Sequence, residues 1–200
     1  MHKDDAAIAK ALRRVDNLNI NVQFRVNDAF STPIDFINRR FDYVISNMAF
    51  HRAFEGQFIT LSTALDNVSR HFEVGGFFIV TILNREKLFE ASNRNTDPRD
   101  LYKDSIVDDR RYKFRNVDWL QEIIEHFVDF DLLIQTASIK HLNLVRRIDF
   151  RDLINQQMAD PESVIWPAYR NHCQNLSKYD WSLVNLHEAI LFERVWGSPQ

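Results

Sequence analysis

A single cysteine, four glycines and no excess of basic charge set the first limits on this 200-residue chain. Cys173 alone excludes an intramolecular disulfide and a cysteine cluster for zinc, which points to a reducing intracellular compartment and a structural thiol. His172-Cys173 and His126 with Asp129 lack the spacing of a metal-ligand set, so no metal is expected. The longest apolar run, Phe77 to Leu83, is far too short to span a bilayer, and Met1-His2-Lys3-Asp4-Asp5 has no signal-peptide core, so no membrane partner is expected. A formal net charge of -3 and a pI near 6.2 exclude a protein that grips nucleic acid mainly through a broad basic surface, while leaving room for a small nucleotide ligand.

The glycines are Gly56, Gly75, Gly76 and Gly197, and none stands in a strand-to-helix turn ahead of the first helical segment. Nucleotide-binding α/β domains use such a turn because backbone without a side chain must approach the ligand closely. No glycine-rich cofactor loop is therefore present.

With 45% hydrophobic and 26% charged residues, the chain has enough material for one domain over residues 1–200. A helix is expected from about Asp5 to Asp16, with Ile8, Leu12 and Val15 at helical spacing. Ile20, Val22, Phe24 and Val26 alternate with polar residues as in a strand covered on one face. Phe41 to Ser46 is continuously apolar, as in the interior of a parallel sheet. Phe58, Leu61, Leu65, Val68 and Phe72 share one face of a helix that stops at Gly75-Gly76, and Phe77 to Ile82 is the next strand. Asn93 to Asp109 is polar and aperiodic, a surface loop or a lid. Val117, Leu120, Ile124 and Phe127 fit an amphipathic helix, and Phe130 to Ile134 is either a strand or its continuation. A mixed stretch from Leu142 to Pro167 leads to Leu183 to Trp196, a closing strand or hairpin arm.

The most informative segment is Ser46-Asn47-Met48-Ala49-Phe50-His51-Arg52-Ala53-Phe54-Glu55, a polar and aromatic cluster at the end of an apolar strand, where open α/β sheets bind ligands. This segment, together with Phe24-Arg25-Val26-Asn27-Asp28, Tyr112-Lys113-Phe114 and Ile124-Glu125-His126-Phe127-Val128-Asp129-Phe130, resembles the mRNA cap guanine-N7 methyltransferases. The resemblance runs from about Asp4 to Arg194. It implies an α/β, class I Rossmann-like methyltransferase fold, incomplete at its amino-terminal side, with a largely parallel central sheet and an antiparallel carboxyl-terminal edge.

By the same resemblance, S-adenosylmethionine is the cofactor, and Asp28, Ala29, Asn47, Met48 and Arg52 are its candidate contacts. Asp28 matches an aspartate that accepts from the adenine amino group. Ala29 stands for a small hydroxyl residue, Asn47 for a glutamine, Met48 for an aromatic and Arg52 for a tyrosine. His51, Phe114, Glu125 and His187 match the surroundings of the cap guanine, with His187 in place of a tyrosine and Leu83 in place of a proline on the pocket wall. Glu125 reads the guanine edge, since a carboxylate accepts from N1–H and the exocyclic amino group together and adenine offers no such pair. The pairs Arg13-Arg14, Arg39-Arg40, Arg110-Arg111 and Arg146-Arg147 are solvated surface in the plainer reading of isolated basic pairs.

Guanine N7 carries a free lone pair, so methyl transfer needs positioning and electrostatics rather than a protein base or nucleophile, and no catalytic residue in that sense is expected. Two functions follow. The chain is part of an active cap methyltransferase whose first strands and cofactor loop come from an upstream segment or another chain. Alternatively it is an inactive methyltransferase-like subunit that binds cap, RNA or a protein in a capping or transcription assembly. The expected partners are capped mRNA or a cap guanosine and whatever completes the sheet, in the nucleus for a cellular protein and the cytoplasm for a viral one.

Overall fold

A computed structural model describes residues 3–15, 22–93, 105–116, 121–163, 166–167, 170, 173 and 175–196. In chain order these form α1 (Lys3–Val15), β1 (Phe41–Asn47), a 3-10 turn (Phe50–Phe54), α2 (Gln57–Arg70), β2 (Phe72–Leu83), α3 (Arg85–Asn93), β3 (Arg111–Asn116), β4 (Gln121–His126), α4 (Phe130–Ile139), β5 (Leu142–Asp149), α5 (Phe150–Ala159), α6 (Lys178–Val184) and β6 (His187–Arg194).

Four strands make one sheet in the order β1-β2-β6-β5, and β3 pairs with β4 in a separate antiparallel ribbon. The expected antiparallel carboxyl-terminal edge is formed by β5 and β6. The largely parallel centre narrows, among the described residues, to the β1–β2 pair, because β2 runs antiparallel to β6. The main core joins β2 and β6 to α2 and α4 through Leu61, Leu65, Phe72, Phe78, Leu133 and Phe192. A smaller cluster of Leu88, Tyr112, Phe127 and Leu186 lies between the ribbon and α3.

Several elements differ from expectation. Residues 22–28 join no ladder, and residues 20–21 lie outside the described part. Alternation reports a covered face, but a strand also needs a neighbour for its backbone. α2 ends at Arg70 and Phe72 opens β2, so the glycine pair does not terminate a helix. Instead the β1–β2 register jumps between Phe41↔Phe72 and Tyr43↔Phe77, with Gly75 at φ +80 in the bulge. A Cβ on Gly76 would sit 2.7 Å from the Asp42 carbonyl oxygen, so β1 passes too closely for a side chain there.

Glu125 lies on strand β4, not on a helix. Its neighbours Ile123 and Ile124 are β-branched and partly exposed, which suits a ribbon. The open question at Phe130 resolves to a separate helix, α4, whose amino end is capped by the Asp129 carboxylate accepting from the Leu132 N–H at 3.0 Å. The Leu142–Pro167 stretch opens with β5 and α5, and the closing strand begins only at His187, after α6. Residues 94–104 of the expected loop or lid lie outside the described part; at its end Ser105 accepts from the Lys113 N–H and Ile106 bridges to Tyr112.

Candidate functional site

The 3-10 turn that follows β1 is held by its apolar residues. Phe50, Ala53 and Phe54 are buried, and the Phe50 ring packs against Phe78 and Phe30 at 5.5 and 6.1 Å. This spacing directs His51 and Arg52 away from the main core. Met48, at φ 52, makes the sharp exit from the strand, and its N–H donates to the Thr81 hydroxyl at 2.8 Å. The same hydroxyl donates to the Asn47 side-chain oxygen at 2.6 Å, so Asn47 is tied to β2.

His51 meets the ribbon. Its Nε2 lies 3.5 Å from Glu125 Oε1, and both side chains are only 17% exposed. Tyr112, directly opposite Glu125 in the β3–β4 register, donates its hydroxyl to Glu125 Oε2 at 2.5 Å. Burial lowers the His51 imidazole below its ordinary range, with Glu125 and Glu55 pulling the other way. His51 is therefore neutral near pH 7, and its approach to Glu125 is a polar contact rather than an ion pair. Met48, His51, Leu83, Tyr112 and Glu125 surround a cavity of about 20 Å³, room for one water.

His187 does not line this cavity. It sits across the β2–β6 ladder from Leu83, which does, with Nδ1 2.8 Å from the Leu183 carbonyl oxygen and its ring 6.0 Å from Phe150. Phe114 places its backbone in β3 opposite Ile123, and its side chain lies outside the described part.

Asp28 and Ala29 occupy a loop on the other side of the turn. Asp28 accepts from the Phe30 and Ser31 N–H groups and from the Ser31 hydroxyl, the last at 2.6 Å. The Ser31 hydroxyl first, then the Phe30 amide, and in smaller part the charge of Arg52 hold its carboxyl below the usual carboxylate range. Arg52 is exposed, lies 5.8 Å from the Phe30 ring centroid and pairs with Glu55 at 3.8 Å. Ala29 and Phe30 begin a groove of about 480 Å³ that runs along β1 past Tyr43 and Ile45 to Asn47.

The residues at one end of this groove can be compared with what S-adenosylmethionine requires; Asp28 adjoins that end next to Ala29 without lining the groove itself. Asp28 is exposed and has acceptor capacity left on Oδ2, as an adenine amino group requires, and Ala29, Phe30 and Asn47 supply the adjoining wall. None of the described glycines borders the groove. The residues present therefore suit the adenine portion of the cofactor.

Two residues that organise these positions have no assigned role in the sequence, although Tyr112 belongs to the Tyr112-Lys113-Phe114 segment. Asn67 of α2 anchors the Asp28 loop, its Nδ2 donating to the Ala29 and Thr32 carbonyls at 2.8 Å each and its Oδ1 accepting from the Ile34 N–H at 2.9 Å. Tyr112 becomes visible only once Gln121–His126 is read as a strand, since that register alone sets it beside Glu125.

The chain is 26% identical over 94% of its length to mRNA cap guanine-N(7) methyltransferases from two strains of Cryptococcus neoformans, and spans 30% and 34% of those proteins, about a third of their length. Among solved structures it resembles an S-adenosylmethionine-dependent methyltransferase from Clostridium acetobutylicum, with TM-score 0.52 and 13% identity over 96% of this chain and 72% of that one. One from Mesorhizobium loti matches at TM-score 0.52 and 16% identity, over 92% of this chain and 75% of that one. These neighbours establish a class I methyltransferase fold. Residues 7–181 match the mRNA (guanine-N(7))-methyltransferase domain, and the chain belongs to that family.

Proposed function

We propose that this chain supplies the guanine-reading part of a cap guanine-N7 methyltransferase site. The observation that carries the reading is the Glu125 carboxylate. It is shielded from water, held on the ribbon, and brought by the turn after β1 against His51 at the carboxyl end of the strands. A shielded carboxylate of this kind accepts the N1–H and amino group of guanine together, and such charge-assisted pairs are strong. His51 borders the same cavity, and Phe114 lies on the facing strand of the ribbon. S-adenosylmethionine, when bound, supplies a methyl group on a positively charged sulfur. The residues of this chain contribute orientation: Asp28 accepts from the adenine amino group, Asn47 and Met48 shape the strand exit between cofactor and base, and Glu125 turns the base.

Methyl transfer further needs strands on the open side of β1. Among the described residues β1 pairs only with β2, and Tyr43 and Ile45 are each 63% exposed along its edge. An exposed apolar edge is a template for pairing. We propose that an upstream segment or a second protein covers it.

Calorimetric titration of the chain with the cap dinucleotide GpppG tests the guanine site. Glu125→Ala is expected to weaken binding by at least about tenfold, the value of a hydrogen bond to a charged group. Equal affinity in the variant refutes the site. Titration with S-adenosylmethionine is expected to show no micromolar binding by this chain alone; such binding would refute the need for added strands.

The second reading, an inactive cap- or partner-binding subunit, is favoured by Arg52, whose side chain is occupied by Glu55 and Phe30 where the family has a tyrosine between cofactor and cap. A methyl-transfer assay with S-adenosylmethionine and GpppG on the complex with its covering segment separates the two, since only the first predicts N7-methylated product.

A further inference from the structure

We propose that Tyr112 is a positioning residue that determines guanine selectivity by holding the Glu125 carboxylate in one orientation. The proposal rests on the guanine-reading role of Glu125.

A carboxylate that must accept two parallel donors has to present both oxygens in a defined plane. The end of a glutamate side chain rotates almost freely unless something holds it, because its last torsion is broad. In this chain the hold is direct. Tyr112 and Glu125 are opposite residues of the β3–β4 ladder, so the backbone register sets their separation. The Tyr112 ring is 6% exposed and packs 4.9 Å from Phe127 within the cluster of Leu88, Phe127 and Leu186. The donor is thus fixed by core packing, and the acceptor is fixed by the donor.

The acceptor count is consistent with a vacancy for guanine. An ionised carboxylate has about four acceptor positions. Tyr112 takes one on Oε2, and His51 faces one on Oε1. Among the described residues these are the partners of Glu125, which leaves two positions, the number needed for N1–H and the exocyclic amino group. His51, at 3.5 Å, is the weaker of the two contacts and the one that gives way when a base enters a cavity now sized for one water. The phenol stays a donor at every working pH, since burial and the neighbouring carboxylate push its ionisation far up.

The experiment uses Tyr112→Phe, which keeps the ring and removes the hydroxyl. Affinities of the native chain and the variant are measured for GpppG and for the corresponding inosine dinucleotide, which lacks the exocyclic amino group. The variant is expected to lose about tenfold for GpppG and no more than about threefold for the inosine form, narrowing the preference between them. An equal loss for both ligands, as from a merely structural role, or no loss for either, overturns the proposal. Absence of GpppG binding by the native chain overturns the guanine site itself and this proposal with it. Proton NMR supplies a measurement independent of ligand: the native chain is expected to show a slowly exchanging, downfield tyrosine hydroxyl proton that vanishes in Tyr112→Phe and in Glu125→Ala. Its absence from the native spectrum overturns the hold on Glu125 directly.

Discussion

Asn67 allows the loop that carries Asp28 to be tested bond by bond. Its amide orientation is set by its partners, since two carbonyls require a donor and one N–H requires an acceptor. Asn67 is 5% exposed, so water does not readily replace what is lost. Three bonds at about 1 kcal/mol each predict that Asn67→Ala destabilises the loop by about 3 kcal/mol, or about a hundredfold in its opening equilibrium. Further ties are the His71 ring, 2.7 Å from the Ile34 carbonyl oxygen, Phe30 on Phe50, and Arg52 over the Phe30 ring. Hydrogen exchange over residues 28–34 is the assay, with exchange in β2 and β6 as the internal control. Asn67→Asp sharpens the test, because it keeps the volume but turns oxygen toward two carbonyls. Its loop is expected to open at least as readily as that of the alanine variant. Native-like protection in Asn67→Asp would refute the reasoning, showing that Phe30 and His71 hold the loop unaided.

Two further outcomes follow from buried ionisable groups. Glu188 is 2% exposed and accepts from Arg147 Nε and Nη2 at 2.6 and 2.8 Å, with the guanidinium 4.1 Å from the Phe130 ring centroid. Arg147→Met is expected to cost about 3 kcal/mol in urea denaturation by leaving the carboxylate unpaired, and Arg147→Met with Glu188→Met to recover most of it; a single-variant cost below about 1 kcal/mol refutes this. Burial lowers the His187 imidazole below its ordinary 6.5. The unfolded chain therefore takes up the proton first, and stability is full above about pH 6.5 and falls as the pH drops through the lowered value. The urea midpoint is expected to decrease between about pH 7.5 and pH 5.5, and less so in His187→Gln; an equally steep decrease in that variant refutes the assignment.

The segment after β1 was legible from the sequence as a polar and aromatic cluster placed at the end of a largely apolar strand. Glu125 is singled out by resemblance, and periodicity put it on a helix where the chain forms β4. Val117, Leu120, Ile124 and Phe127 match helical spacing, yet Ile124 is half exposed on a ribbon and Phe127 belongs to the cluster beneath it. Spacing counts apolar residues without knowing what covers them. The register that sets Tyr112 beside Glu125 is a long-range pairing that local pattern does not encode. The apolar run of β1 was read as the interior of a sheet, and the described residues leave it at an edge; the sequence records burial that β2 alone does not provide.

Among the described residues the β3–β4 ribbon shares no ladder with the main sheet. Substitutions within β3 or β4 therefore leave the ladder hydrogen bonds of β1, β2, β6 and β5 in place. If the ribbon reads the base as proposed, recognition is open to change within β3 and β4, at a cost set by the small cluster that the ribbon shares with Leu88 and Leu186 rather than by the main core.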